Sequence, residues 1–298
     1  MLDMNKILSQ KELDKFHKDG FILIKNLFSK EETGKLRSHI DGLKESESGS
    51  EKNGSFLFVG DAVSKNLGNL VFDERIMNIS KQILGPRLVY FGESTIQTGI
   101  RAGRGFHRDN ADRENQKDPD WQINNFPIIK MGIYLADHKK FSGGLKVRKG
   151  SHSIDDFIVD PNNPSIKNQE EGRGKIYNIP SQAGDLILWS MRLAHSANFI
   201  RFKLLRNICL PPKIENKVDK YLPQFLQSKL PTERKTFWLT LGAPSPELDR
   251  YIKYYIERGD YVEHWKRCVD NDELLKLAST NNVEIRKPIP EYASLQLN

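Results

Sequence analysis

Apolar residues recur at helical spacing through residues 1–87 and at period two through much of 88–212. Ser9-Gln10-Lys11-Glu12 reads as a capping box, and the helix it opens should stop near Gly20. Residues 21–25 then form a short apolar strand. Ser29-Lys30-Glu31-Glu32 is a second capping box, before a helix that carries Leu36, Ile40 and Leu43. A third helix is predicted from Asp73, with Ile76, Ile79 and Ile83 on one face and a stop at Gly85-Pro86. Strands are predicted over 88–92, 94–100, 128–136, 184–190 and 201–209, with a turn and strand over 141–147. Residues 160–174 are polar and hold Pro161 and Pro164, which marks a loop. Beyond Lys213 helices return. Leu248, Tyr251, Ile252 and Tyr255 share a face of one, and another spans 272–278.

The order helices, many strands, helices predicts one antiparallel β core with helices packed outside it. The expected organisation is a single domain over 1–298. It has N-terminal helices at 1–87, a strand core at 88–212 and a helical extension at 213–298. The extension could serve as a lid or as a homodimer contact.

Composition narrows the class. Hydrophobic residues at 38% and charged residues at 29% suit a folded chain with a real core. No apolar run is long enough to cross a membrane, and the opening residues lack a signal-peptide pattern. Cys209 and Cys268 are the only cysteines, so a cytoplasmic location is expected rather than a disulfide framework. The net charge of +7 would suit an anionic substrate, weak attraction to nucleic acid, or simply a solvated lysine-rich surface.

Two segments carry candidate chemistry: His107-Arg108-Asp109, and His195 with Arg206 eleven residues on. In a strand, positions i and i+2 face the same side, so His107 and Asp109 can share one ion while Arg108 turns away. With His195 they make two imidazoles and one carboxylate. That set suits ferrous iron, leaving positions open for a chelating oxoacid and O2. A lone His-x-Asp pair is common by chance. His17, His39, His138, His152 and His264 read better as surface or turn residues.

Alternation over 201–209 sets Arg206 among Phe202, Leu204 and Ile208. A guanidinium on an apolar face requires an anion. That anion is either an internal acid or a co-substrate carboxylate met fork to fork.

In these residues the chain resembles the phytanoyl-CoA dioxygenase family of Fe(II)/2-oxoglutarate oxygenases. Phe16-His17-Lys18-Asp19-Gly20-Phe21 is similar to that family's opening motif. His107-x-Asp109 matches its first two iron ligands. The run from Gly143-Gly144-Leu145 to Gly150-Ser151-His152 resembles a later segment, and Gly184-Asp185-Leu186 leads to its third ligand, His195.

The resemblance implies a mainly β fold with flanking helices, a double-stranded β-helix (jelly roll, cupin-like). It implies Fe(II), 2-oxoglutarate and O2 as cofactor and co-substrates, and hydroxylation of a small, polar or anionic metabolite. Arg206 would clamp 2-oxoglutarate, with Gln97 and Ser196 as further contacts. Ser196 is offset by one position from the family's serine. Arg104, Asn110, Trp189 and Arg192 are candidate substrate residues. Asp109 favours hydroxylation, since related halogenases carry a small residue there.

Two departures stand out. Lys149 replaces a proline. Gly132 stands where many members carry a tryptophan, which should enlarge the pocket or expose the co-substrate.

The alternatives are an AlkB-like nucleic-acid demethylase and a non-catalytic jelly-roll binding protein. The spacing of Arg206 and the lack of an aromatic stacking platform speak against the first, so nucleic acid is not the expected partner. An intact triad speaks against the second.

Overall fold

The computed structural model describes residues 8–46, 50–52, 55–59, 67–98, 106–109, 123, 125–138, 144–153, 174–197, 214, 217–218, 221–226, 235–257 and 272–286. Helix α1 (Gln10–Asp19) begins at the Ser9/Glu12 capping box and ends at Gly20, whose φ of 81° only glycine adopts without strain. Strand β1 (Phe21–Ile24) follows. The Ser29/Glu32 box opens α2 (Lys30–Ser46), with the Glu32 carboxylate 2.7 Å from the Ser29 amide. Asp73 caps α3 (Glu74–Leu84). These starts and stops agree with the capping signals in the sequence.

The strands form two sheets. The larger runs β1–β9–β6–β11–β5–β3–β2, where β2 is Ser50–Lys52, β3 Ser55–Val59, β5 Ser94–Thr98, β6 Ile128–Tyr134, β9 Leu186–Ser190 and β11 Lys235–Gly242. Strand β4 (Leu88–Tyr90) pairs with β11, and β12 (Val283–Ile285) pairs with β4. The smaller sheet is β10–β7–β8: His195–Ala197, Leu145–Arg148 and Ile176–Asn178. A short 3-10 turn (Gln224–Leu226) precedes β11, and helices α4 (Pro246–Glu257) and α5 (Asp272–Thr280) follow it.

Period-two alternation separates the faces of the larger sheet. Ile129, Met131, Ile133, Leu186, Leu188, Phe237, Leu239 and Leu241 point outward into one core with Ile40, Ile76 and Ile79 of the N-terminal helices. Tyr134, Ile187, Trp189 and Trp238 point inward, toward Leu145 and Val147 of the smaller sheet. The turn into β9 is tight. At Gly184, with φ +91°, an added Cβ would lie 2.2 Å from the Phe28 carbonyl oxygen.

One sequence expectation needs correction. Residues 213–298 are not a helical extension laid on a finished core. They supply β11, which lies between β5 and β6 in the middle of the larger sheet. The signal was present. Thr236, Phe237, Trp238, Leu239, Thr240 and Leu241 alternate and favour β structure. The span 1–87, expected to be helical apart from residues 21–25, also holds the β2–β3 hairpin; Asn53-Gly54 between its strands is the turn signal for it. The predicted strand 201–209 lies outside the described residues.

Candidate metal centre

The backbone brings the two proposed imidazoles together. His107 and His195 are directly opposed and exchange both amide bonds, at 3.0 and 2.9 Å. Side chains of such a pair leave the sheet on one side, and here the rings lie 4.3 Å apart. Asp109, two residues on, is tied by its amide to the Met191 carbonyl at 3.0 Å. Its Oδ1 is 3.7 Å from His107 Nε2 and its Oδ2 is 3.2 Å from His195 Nε2. One ligand atom from each residue lies within 4.8 Å of the others, the spacing a single ion requires.

The set fits a first-row divalent ion. Adjacent ligands of an octahedral ion with bonds of about 2.1 Å lie about 3 Å apart. His195 is also suitably prepared. His195 Nδ1 is 2.9 Å from the Leu193 carbonyl. A carbonyl only accepts, so Nδ1 carries the proton and Nε2 keeps its lone pair for an ion. Asp109 is held ionised. Burial raises its pKa, but the Lys130 ammonium and then the two imidazoles outweigh burial and leave it well below the usual carboxylate range.

Lys130 was not singled out from the sequence. It projects inward from β6 and sits 3.2 Å from Asp109 Oδ2 and 3.2 Å from Glu93 Oε1. Burial alone would lower its pKa; the two carboxylates reverse that and raise it. Glu93 also accepts from Tyr251 at 3.0 Å and from Tyr255 at 2.6 Å, both on α4.

The other proposed site residues divide. Trp189 is buried in the inner wall, its ring 5.5 Å from that of His195. Gln97 lies on the inner face of β5 and pairs with Thr236 of β11, itself opposite Tyr134. Trp189 Nε1 and Thr236 Oγ1 have no hydrogen-bond partner among the described residues, so the inner face offers polar atoms to a polar co-substrate.

Ser196 is corrected. Alternation along β10 turns it to the face opposite His195, beside its buried partner Lys146. Arg192 is fully buried; its guanidinium donates to the Ile123 carbonyl and lies over Phe126. Arg104, Asn110 and Arg206 lie outside the described residues.

Gly132 does not leave the expected space. Its cross-strand partner is Trp238, and a Cβ at 132 would meet that ring at 2.5 Å. The indole, supplied by β11, fills the volume above the glycine. It stacks edge-on against Tyr134 and Trp189, at 5.8 and 5.6 Å.

Two sheets closed around a His-x-Asp…His cluster are the features of the Fe(II)/2-oxoglutarate-dependent oxygenases. Residues 16–201, well over half of the chain, match the model of the phytanoyl-CoA dioxygenase (PhyH) family. The chain belongs to that family and is an Fe(II)/2-oxoglutarate-dependent dioxygenase.

Among curated relatives, ectoine dioxygenase of Bordetella parapertussis is 24% identical over 250 residues, covering 69% of this chain and 79% of that protein. The Nocardia farcinica ectoine dioxygenase is 28% identical over 225 residues, covering 63% and 72%. Among solved structures, HygX of Streptomyces hygroscopicus with nickel and 2-oxoglutarate has a TM-score of 0.55 at 15% identity, covering 79% of this chain and 87% of that one. Apo EctD of S. alaskensis has a TM-score of 0.53 at 17% identity, covering 82% and 79%. These structural likenesses establish the double-stranded β-helix fold.

Proposed function

We propose that the protein hydroxylates a C–H bond of a small polar or anionic metabolite, with His107, Asp109 and His195 as the iron ligands. The observation that carries this reading is the convergence of two imidazoles and one ionised carboxylate from paired strands. With iron and 2-oxoglutarate bound, the centre supplies O2-dependent oxidation coupled to release of succinate and CO2.

The residues of the chain have narrower tasks. The Leu193 carbonyl fixes the His195 tautomer. Lys130 keeps Asp109 charged in a buried setting. Trp189, Trp238 and Tyr134 wall the inner face and keep water from it. The names of the curated relatives support a compact, polar substrate of the size of ectoine. The two cysteines, Cys209 and Cys268, support work in the reducing cytoplasm.

The direct test is succinate release from 2-oxoglutarate with Fe(II) and a panel of small cyclic and linear amino acids and amines. Turnover with one of them, lost in His107→Ala together with ion uptake, is the expected result. Release that survives His107→Ala would remove the triad from the reaction.

A further inference from the structure

Helix α4 reaches the candidate metal centre through an unbroken chain of polar contacts. Tyr251 and Tyr255 grip Glu93, Glu93 grips Lys130, and Lys130 grips Asp109. Every member is mostly or wholly withdrawn from solvent. A lysine is costly in such a place unless it is paired. The outer neighbours of Lys130 on the strand, Ile129 and Met131, belong to the apolar core. Nothing in the packing of β6 therefore asks for an ammonium at 130. What its position provides is a donor 3.2 Å from one oxygen of Asp109.

We propose that Lys130 is a positioning residue: it occupies one oxygen of Asp109, so that this carboxylate holds the ion through a single oxygen, and Glu93 with Tyr251 and Tyr255 fixes it there. A carboxylate free to turn can grip an ion with both oxygens and close a position that co-substrate or O2 needs. An ammonium on the second oxygen prevents that. It also sets a positive charge near the ion, which lowers affinity for the ion. The tyrosines matter through competition for Glu93. Without their hydroxyls the Glu93 carboxylate turns its full acceptor capacity on Lys130 and draws it from Asp109. Residues 246–257 thereby bear on the coordination of an ion they do not touch. This inference rests on the triad reading of the proposed function.

The experiment uses the full chain without turnover. Co(II) is titrated anaerobically into the wild type, His107→Ala, Lys130→Met, Lys130→Arg and the double variant Tyr251→Phe/Tyr255→Phe. Affinity and the visible d–d spectrum are read together. Lys130→Met should bind Co(II) at least about tenfold more tightly, because a nearby positive charge is gone. Its spectrum should change in shape as the second oxygen joins. Turnover with 2-oxoglutarate should fall about 10–100-fold, the usual range for loss of a partner to a ligand.

Lys130→Arg should restore the wild-type spectrum in large part. The tyrosine double variant should shift it in the Lys130→Met direction by a smaller amount. It also serves as the test should Lys130→Met fail to fold. A purely structural lysine predicts the opposite sign, with weaker binding and an unchanged spectral shape. That result, or a double variant identical to the wild type, overturns the proposal. Wild-type protein that takes up no Co(II), or takes it up as well after His107→Ala, overturns the triad reading itself and this inference with it.

Discussion

Gly132→Ala is a one-methyl perturbation with a definite consequence. The new Cβ would lie 2.5, 2.9 and 3.3 Å from three ring carbons of Trp238, the first two inside the distance at which something must move. The β6–β11 backbone pairing through Gly132 and Trp238 resists separation, so the indole must give way. Tyr134 and Trp189 stand edge-on to that indole, at 5.8 and 5.6 Å, and confine where it can go. Overpacking of this kind costs about 1–3 kcal/mol. At about 2–4 °C per kcal/mol for a chain of this order of size, the melting point should fall by about 2–12 °C.

The displaced ring also crowds the inner face, so the 2-oxoglutarate KM should rise. Thermal melts and co-substrate titration read both effects. The decisive control is Gly132→Ala/Trp238→Leu. Residues in contact show coupling of about 0.5–3 kcal/mol, and relief of the clash should make the double variant less unstable than the sum of the singles. A Gly132→Ala protein that melts with the wild type, or strictly additive singles, refutes the reasoning.

Three other outcomes are expected. A chain ended at residue 213 lacks β11 and leaves β5 and β6 with unpaired central edges, so it should not fold; a cooperative melt from such a fragment would show the contrary. The Glu32 carboxyl is pulled down from 4.5 to about 2, first by the Arg75 hydrogen bond and then by the Ser29 amide. Between those values the unfolded chain binds more protons, so stability should rise with pH from about 2 to 4.5; Glu32→Gln should flatten that slope in urea midpoints measured against pH. Arg206→Ala should weaken 2-oxoglutarate binding if residues 201–209 provide the clamp. Because β11 fills the place between β5 and β6, and Arg234 immediately precedes it in the sequence, Arg234→Ala is the matching arm, and an effect there alone would move the clamp to 234.

Legibility followed sequence distance. Caps, helix stops and alternation are local, and Ser9, Ser29, Asp73 and Gly20 stand where their side chains or backbone requirements say they should. The His-x-Asp pair is also local, since two residues of one strand share a face. His195 could be proposed because a strand and turn led to it. The contributions of the C-terminal segment were not readable in this way. Glu93 and Tyr255 are separated by 162 positions, and nothing in either neighbourhood announces the other. Gly132 seemed to open a space because its filler, Trp238, arrives on a strand far along the chain. Ser196 failed for a simpler reason. A one-residue offset in a strand is a change of face, and the nearness of Ser196 to His195 in sequence had to yield to that.

The same distances explain how the centre depends on the whole fold. The candidate ligands come from 107–109 and 195, yet the inner face around them is completed by β11 and α4. With β11 absent, Lys130 loses the neighbouring strand at Thr240; with α4 absent, Glu93 loses both hydroxyls. An ion bound by this triad therefore binds only the fully assembled chain, and its binding energy adds to the stability of that state alone. Residues 235–257 thus supply the strand between β5 and β6 and the two hydroxyls on Glu93, and with them the surroundings of the three candidate ligands.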